Sequence, residues 1–165
     1  MTGAIKPGAI KPGDGADRTR IEQMTAELGL GERVTFAGKV ADADLPRYYA
    51  ACDVFAHPNR VEGPDLEGFG LVFLEAAASG RPSIGGNSGG VPEAVQDGTT
   101  GVLVSGTNVN ELVKAIERFM ASPMDVQLMG SAARDRAIRD FDWARTARAV
   151  EAIHQRVWLE HWGRR

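Results

Sequence analysis

The feature that most constrains this chain is a repeated change of hydrophobic period. Short apolar runs alternate with longer segments in which apolar residues return every three to four positions, and glycine or proline closes almost every run. Val34-Thr35-Phe36-Ala37 stops at Gly38, Asp53-Val54-Phe55-Ala56 precedes Pro58, Pro82-Ser83-Ile84 runs into Gly85, and Gly101-Val102-Leu103-Val104 ends at Ser105-Gly106. Between these runs the pattern predicts helices over Asp17 to Leu28, from an Asp44 cap through Ala51, over Leu71 to Ala78 and over Pro92 to Gln96. Beyond them it predicts helices over Val109–Ala121, Asp125–Asp140 and Arg145–Trp162. Strand and helix in alternation imply an α/β fold: a Rossmann-like parallel sheet with helices on both faces. In such sheets ligands sit beyond the carboxyl ends of the strands. Here those ends are Gly38-Lys39-Val40, His57 onward, Gly85 onward and Ser105-Gly106.

Composition narrows the function classes. Nineteen basic and 22 acidic residues are well mixed, for a net charge of −3, and no basic stripe marks a dedicated nucleic-acid binder. The single cysteine, Cys52, excludes an internal disulfide and a cysteine-based zinc site. No apolar run reaches the ~20 residues of a membrane span and no signal-peptide core opens the chain, so the expected compartment is the cytoplasm. Glycine stands out, at 20 of 165 residues.

Two stretches depart from the alternation. Gly3-Ala4-Ile5-Lys6-Pro7 is repeated at once as Gly8-Ala9-Ile10-Lys11-Pro12. With two prolines and two isoleucines, residues 1–12 are expected to form a flexible arm, leaving 13–165 as the folded domain. The second stretch is the polar loop from His57 to Gly70. It meets the helix at Glu67-Gly68-Phe69-Gly70-Leu71, with Glu75 further in. Gly68 and Gly70 remove side chains from a helix N-terminus, leaving backbone N–H groups and the positive dipole end to meet an anionic oxygen such as a phosphate. Glu75 lies about 7–8 Å further along the helix axis. Carboxylates on either side of a phosphate pocket suit a sugar nucleotide, because each can hold a vicinal diol. Paired glutamates are common, and spacing alone favours a surface loop glutamate and a solvated helix glutamate over a site.

Several pieces occur in a fixed order. They are Gly13-Asp14-Gly15, Arg33-Val34-Thr35-Phe36-Ala37-Gly38, Asp53-Val54-Phe55, Glu67-Gly68-Phe69-Gly70, Gly80-Arg81-Pro82, Gly89-Gly90-Val91-Pro92-Glu93 and Gly98-Thr99-Thr100-Gly101. Together, from about residue 13 to 160, they resemble the C-terminal, donor-binding domain of the retaining glycosyltransferases of family 4, which have the GT-B fold, with Glu67 and Glu75 as the E-x7-E signature. From Asn59-Arg60 to Asp65-Leu66-Glu67 the chain is most similar to mannosyltransferases that act on phosphatidylinositol mannosides.

The resemblance implies roles for matched positions. Glu67, the catalytic candidate, would bind donor-sugar hydroxyls. Backbone at Gly68, Phe69, Gly70 and Leu71 would meet sugar and phosphate oxygens, and Glu75 would hold the ribose diol. Lys39 and Val40 would border the base, and Gly89 and Gly90 the sugar. It also implies a nucleotide-sugar substrate such as GDP-mannose or a UDP-sugar, no cofactor and no essential metal. A family-4 enzyme is not a glycosidase, so Glu67 is not read as a glycosidase nucleophile.

Departures from the pattern matter as much. The strand, the basic phosphate-gripping loop and the second strand that open the family's domain have no counterpart before Gly13-Asp14-Gly15, so Val34–Ala37 is expected to lack a neighbour. The family's N-terminal half, which completes the cleft, is a partner to be supplied in cis or in trans. The alternative is a truncated remnant or interaction module that has lost donor binding. Asp42-Ala43-Asp44 is read as helix capping rather than a metal site. The aromatic–basic end at Trp158, Trp162, Arg164 and Arg165 is read as packing on a neighbouring domain, with peripheral contact at the inner membrane face as the other reading.

Overall fold

The structure is a computed structural model that describes residues 9–12, 15–60 and 68–163. It divides into two compact units, Met1–Leu45 and Pro46–Arg165. In the first, strand β1 (Ala9–Pro12) and strand β2 (Val34–Gly38) are joined through helix α1 (Arg18–Glu27). The two strands run parallel, with Ala9 opposite Val34, Ile10 opposite Thr35 and Lys11 opposite Phe36, and the register slips between Lys11 and Pro12. This corrects the expectation that residues 9–12 belong to an arm and that Val34–Ala37 has no neighbour. Proline is tolerated here because Pro12 is the terminal strand residue, at the irregularity, where no ladder N–H is needed. The rest of the expected arm, residues 1–8, lies outside the described residues.

The second unit carries helix α2 (Leu45–Ala51), which starts at the unit boundary, and then alternates. Strand β3 (Phe55–His57) is followed by α3 (Leu71–Ala78), β4 (Ser83–Gly86), α4 (Val91–Ala94) and β5 (Gly101–Val104). Helices α5 (Val109–Ala121), α6 (Pro123–Asp140) and α7 (Trp143–His161) complete it. The three strands pair in the order β3-β4-β5, all parallel. Every residue of the middle strand is buried, as its small-residue sequence Ser-Ile-Gly-Gly allows.

Helices cover both faces. On one, Ile84 and Val104 pack with Ala115 and Phe119 of α5 and Met129 of α6. On the other, Phe73 of α3 packs with Val91, Ala94 and Val95. Ala77, Ala133 and Ala137 let α3 and α6 meet closely. Asn108 caps α5, accepting from the N–H groups of Asn110 and Glu111, while Glu111 accepts from Ser105 N at 2.7 Å. Helix α7 has no buried residue, and Trp143, Trp158 and Trp162 are exposed. Among the described residues, no helix is long and apolar enough to cross a membrane.

Candidate functional site

The start of α3 is built around Gly70. Its φ is +77°, the left-handed region where a Cβ is strained, and as the N-cap residue it brings no side chain of its own to the helix end. A helix begun this way leaves its first N–H groups without intrahelical acceptors. Below, Phe73 is 1% exposed and fixes the first turn to the sheet. A Cβ on Gly70 would fall 2.6 Å from the Phe73 ring, so glycine is required by packing as well as by φ.

The loop after β4 comes up against this turn. A Cβ on Gly90 would stand 2.1 Å from the Gly68 carbonyl oxygen and 2.9 Å from Phe69 Cα. The structure therefore brings Gly68, Phe69 and Gly90 together, backbone against backbone, at the carboxyl side of the sheet. Beside them, Phe69 rests on Phe141 at 5.7 Å between ring centroids, and the Arg136 guanidinium lies over Phe141. Arg136 also donates to the Glu93 and Ala94 carbonyls, both at 2.6 Å, anchoring the end of α4.

Asn59 ties the loops after β3 and β4. Its Oδ1 accepts from Gly86 N at 3.1 Å, and its Nδ2 donates to Ser88 Oγ at 3.1 Å. Its carbonyl approaches Gly86 and Gly106 so closely that neither position has room for a Cβ. An open cleft of about 410 Å³ adjoins this tie, bordered by Asn59 and Ser88 themselves and by Arg60, Asn87, Ser105 and Glu111. It includes Ser105 and Gly106 at the carboxyl end of β5, and among the described residues none of those expected to bind the donor lines it.

Glu75 is exposed on α3, and its Oε2 accepts a 2.8 Å hydrogen bond from the Tyr49 hydroxyl. Burial first, and then the carboxylate beside it, push the Tyr49 phenol well above its ordinary value of 10.0. Burial likewise raises the neighbouring Cys52 thiol. Among the described residues, no group of three His, Cys, Asp or Glu side chains stands as a metal-ligand set.

Of the expected site residues, Gly68, Phe69, Gly70, Leu71, Glu75, Gly89 and Gly90 fall in the second unit, around the N-terminal half of α3 and the turn before α4. Lys39 and Val40 follow β2 in the first unit. Glu67 lies outside the described residues, as do Gly13, Asp14, Arg164 and Arg165. Sequence reading missed Tyr49 as Glu75's partner and Arg136 as an anchor, and it saw Asn59 only as part of a subfamily likeness. The Tyr-Tyr pair on α2 was visible, but nothing local says which ring faces a helix 26 residues away.

Residues 10–136 match the family described as Glycosyl transferases group 1. A GDP-mannose-dependent alpha-(1-6)-phosphatidylinositol monomannoside mannosyltransferase of Mycolicibacterium smegmatis is 40% identical over 147 residues, covering 87% of this chain and 38% of that protein. A D-inositol 3-phosphate glycosyltransferase of Mycobacterium marinum is 39% identical over 139 residues, covering 83% of this chain and 28% of that one. Among solved structures, Anabaena Alr3699/HepE in complex with UDP and glucose superposes with a TM-score of 0.78 at 29% identity, over 90% of this chain and 40% of that chain. Sucrose-phosphate synthase from Thermosynechococcus elongatus does so at 0.78 and 33%, over 92% and 38%. The chain thus spans well under half the length of these four proteins, and by sequence and fold alike it belongs to the group 1 glycosyl transferases.

Proposed function

We propose that this chain is the donor-binding half of a retaining glycosyltransferase that takes its sugar from a nucleotide-sugar. The observation that carries the reading is the start of α3. Gly70 opens the helix with a left-handed turn and no side chain, Gly90 closes against Gly68 and Phe69, and Glu75 follows on the same helix. Backbone N–H groups there receive diphosphate and sugar oxygens and stabilise the leaving diphosphate without an essential metal. Glu75 holds the ribose diol, Glu67 the sugar hydroxyls, Gly89 and Gly90 line the sugar, and Lys39 and Val40 border the base. Transfer itself requires an N-terminal half, in cis or in trans, and the chain alone does not turn over. Contact of the full enzyme with the inner membrane face belongs to the same reading.

GDP-mannose is the first donor to test, since the Mycolicibacterium smegmatis relative is described as GDP-mannose-dependent, and UDP-glucose the second, since the Anabaena protein is described with UDP and glucose. Thermal unfolding of the purified chain with GDP, UDP, GDP-mannose and UDP-glucose makes the comparison. A ligand at about 100 times its Kd adds ~2.7 kcal/mol to native stability, a rise of several degrees in Tm for a chain of this length. A rise with one base and not the other supports the reading and names the base. A cooperative transition that no nucleotide moves refutes it.

A further inference from the structure

Glu75 receives its only side-chain hydrogen bond among the described residues from Tyr49, across 26 residues of sequence and from a different helix. We infer that Tyr49 is a positioning residue for nucleotide binding, its phenol holding the Glu75 carboxylate in the orientation that takes a ribose diol. The inference rests on the reading of Glu75 as the ribose-binding group.

Three observations carry it. First, the phenol is itself held. Its ring packs edge-on to Phe55 at 5.6 Å between centroids, and Phe55 packs edge-on to Phe73 at 5.5 Å. Phe73 is a buried residue of α3, the helix that carries Glu75, so an aromatic ladder ties the hydrogen-bond donor to the body of its acceptor. Second, the end of α2 is fixed on its other side. Arg81 donates to the Ala50 carbonyl at 2.8 Å, and the Cys52 thiol donates to the Tyr49 carbonyl at 3.2 Å. Third, Tyr49 leaves the carboxylate able to work. A carboxylate has about four acceptor sites, and one phenol occupies one of them, leaving room for both hydroxyls of a diol. An exposed glutamate in a helix otherwise samples many rotamers, and ordering it on binding weakens affinity. With Tyr49 in place that ordering has already occurred in the free protein.

The test measures binding of GDP and UDP, and of their 2′,3′-dideoxy counterparts, to the full chain by calorimetry, for wild type, Tyr49→Phe, Glu75→Ala and the double variant. Tyr49→Phe keeps the ring against Phe55 and removes only the hydroxyl. Its expected effect is a loss of about 3- to 10-fold for the ribonucleotide and none for the dideoxynucleotide. The double variant is expected to bind no more weakly than Glu75→Ala. Equal loss on both ligands overturns the inference, since a merely structural tyrosine supports both alike. Unchanged ribonucleotide affinity overturns it as well. A wild-type chain that binds both ligands equally well refutes the ribose role of Glu75, and one that binds neither refutes the donor site; each takes this inference with it. A second measurement needs no tyrosine variant. In Glu75→Gln the pH midpoint of tyrosinate absorbance is expected to fall, and an unmoved midpoint overturns the pairing.

Discussion

Gly90→Ala is the sharpest test of how the site wall is built. Gly90 has φ −84°, which any residue adopts, so the substitution carries no backbone strain of its own. Its cost comes entirely from the 2.1 Å approach of the new methyl to the Gly68 carbonyl oxygen and the 2.9 Å approach to Phe69 Cα. Both atoms are backbone, so neither can swing away as a side-chain tip would. Relief requires the start of α3 and the turn before α4 to move apart by roughly an ångström, an overpacking usually worth ~1–3 kcal/mol. For a chain of this size that lowers Tm by about 2–4 °C per kcal/mol. Gly68→Ala is the internal control, because a Cβ there meets nothing within 4 Å. It is expected to stay within about 0.5 kcal/mol of wild type. Thermal and urea unfolding followed by circular dichroism measure both. Nucleotide binding should weaken in Gly90→Ala measured well below its Tm, because the displaced backbone is the proposed phosphate contact. Equal Tm values for Gly90→Ala and wild type would refute the argument that these two backbones are in fixed contact.

Other perturbations reach the same region by different physics. Gly70→Ala combines a left-handed φ, worth ~1–2 kcal/mol, with a 2.6 Å approach to the buried Phe73 ring, and should destabilise more than Gly90→Ala in the same unfolding assay. Asn59→Ala removes the acceptor for Gly86 N and the donor to Ser88 Oγ; a loss of about 1–3 kcal/mol is expected by urea denaturation, and no loss would show that water replaces both. Tyr49 makes stability pH-dependent in a stated direction. Its folded value lies above 10.0, so above that pH the unfolded chain loses a proton that the native state keeps, and stability falls as pH rises. Denaturation measured from pH about 9 to 11 should therefore decline less steeply for Tyr49→Phe than for wild type, and equal slopes would refute the shift.

What the sequence made legible follows from the range over which its signals act. The strands, the helices of the second unit and the Gly70 helix start are local patterns. They are encoded by period and by glycine placement within a few residues of one another. The β1–β2 pairing is not. Ala-Ile-Lys-Pro reads as a poor strand because its proline is judged as an interior residue, whereas the fold uses it only as the last one, where the register slips. Helix α5 shows the same limit. Its apolar positions Leu112, Val113, Ile116, Phe119 and Met120 make it amphipathic in sequence. In the fold, Ala115 and Phe119 are buried and Leu112 joins their cluster, while Val113, Ile116 and Met120 are 44%, 40% and 59% exposed. Periodicity finds an apolar arc but not which part of it a three-stranded sheet can cover.

The glycine excess carries the larger lesson about the site. In the sequence Gly68, Gly70 and Gly90 look interchangeable, each a small residue near a phosphate-binding turn. The fold gives them unlike duties: Gly70 supplies a left-handed φ, Gly90 the absence of a methyl group where two backbones meet, and Gly68 neither. Only the first can be inferred from local conformation, since a helix opened without a capping side chain invites it. The second depends on a contact across 22 residues, and no spacing rule contains it. Tyr49 and Asn59 stand in the same relation to Glu75 and Gly86, 26 and 27 residues away. The residues that meet the ligand in the proposed site are therefore the ones a linear reading finds, because their chemistry is local. Those that hold them in place become visible only once the sheet has brought distant loops to one end. Substitutions in this second group should disturb affinity through geometry while leaving every ligand-contacting group present.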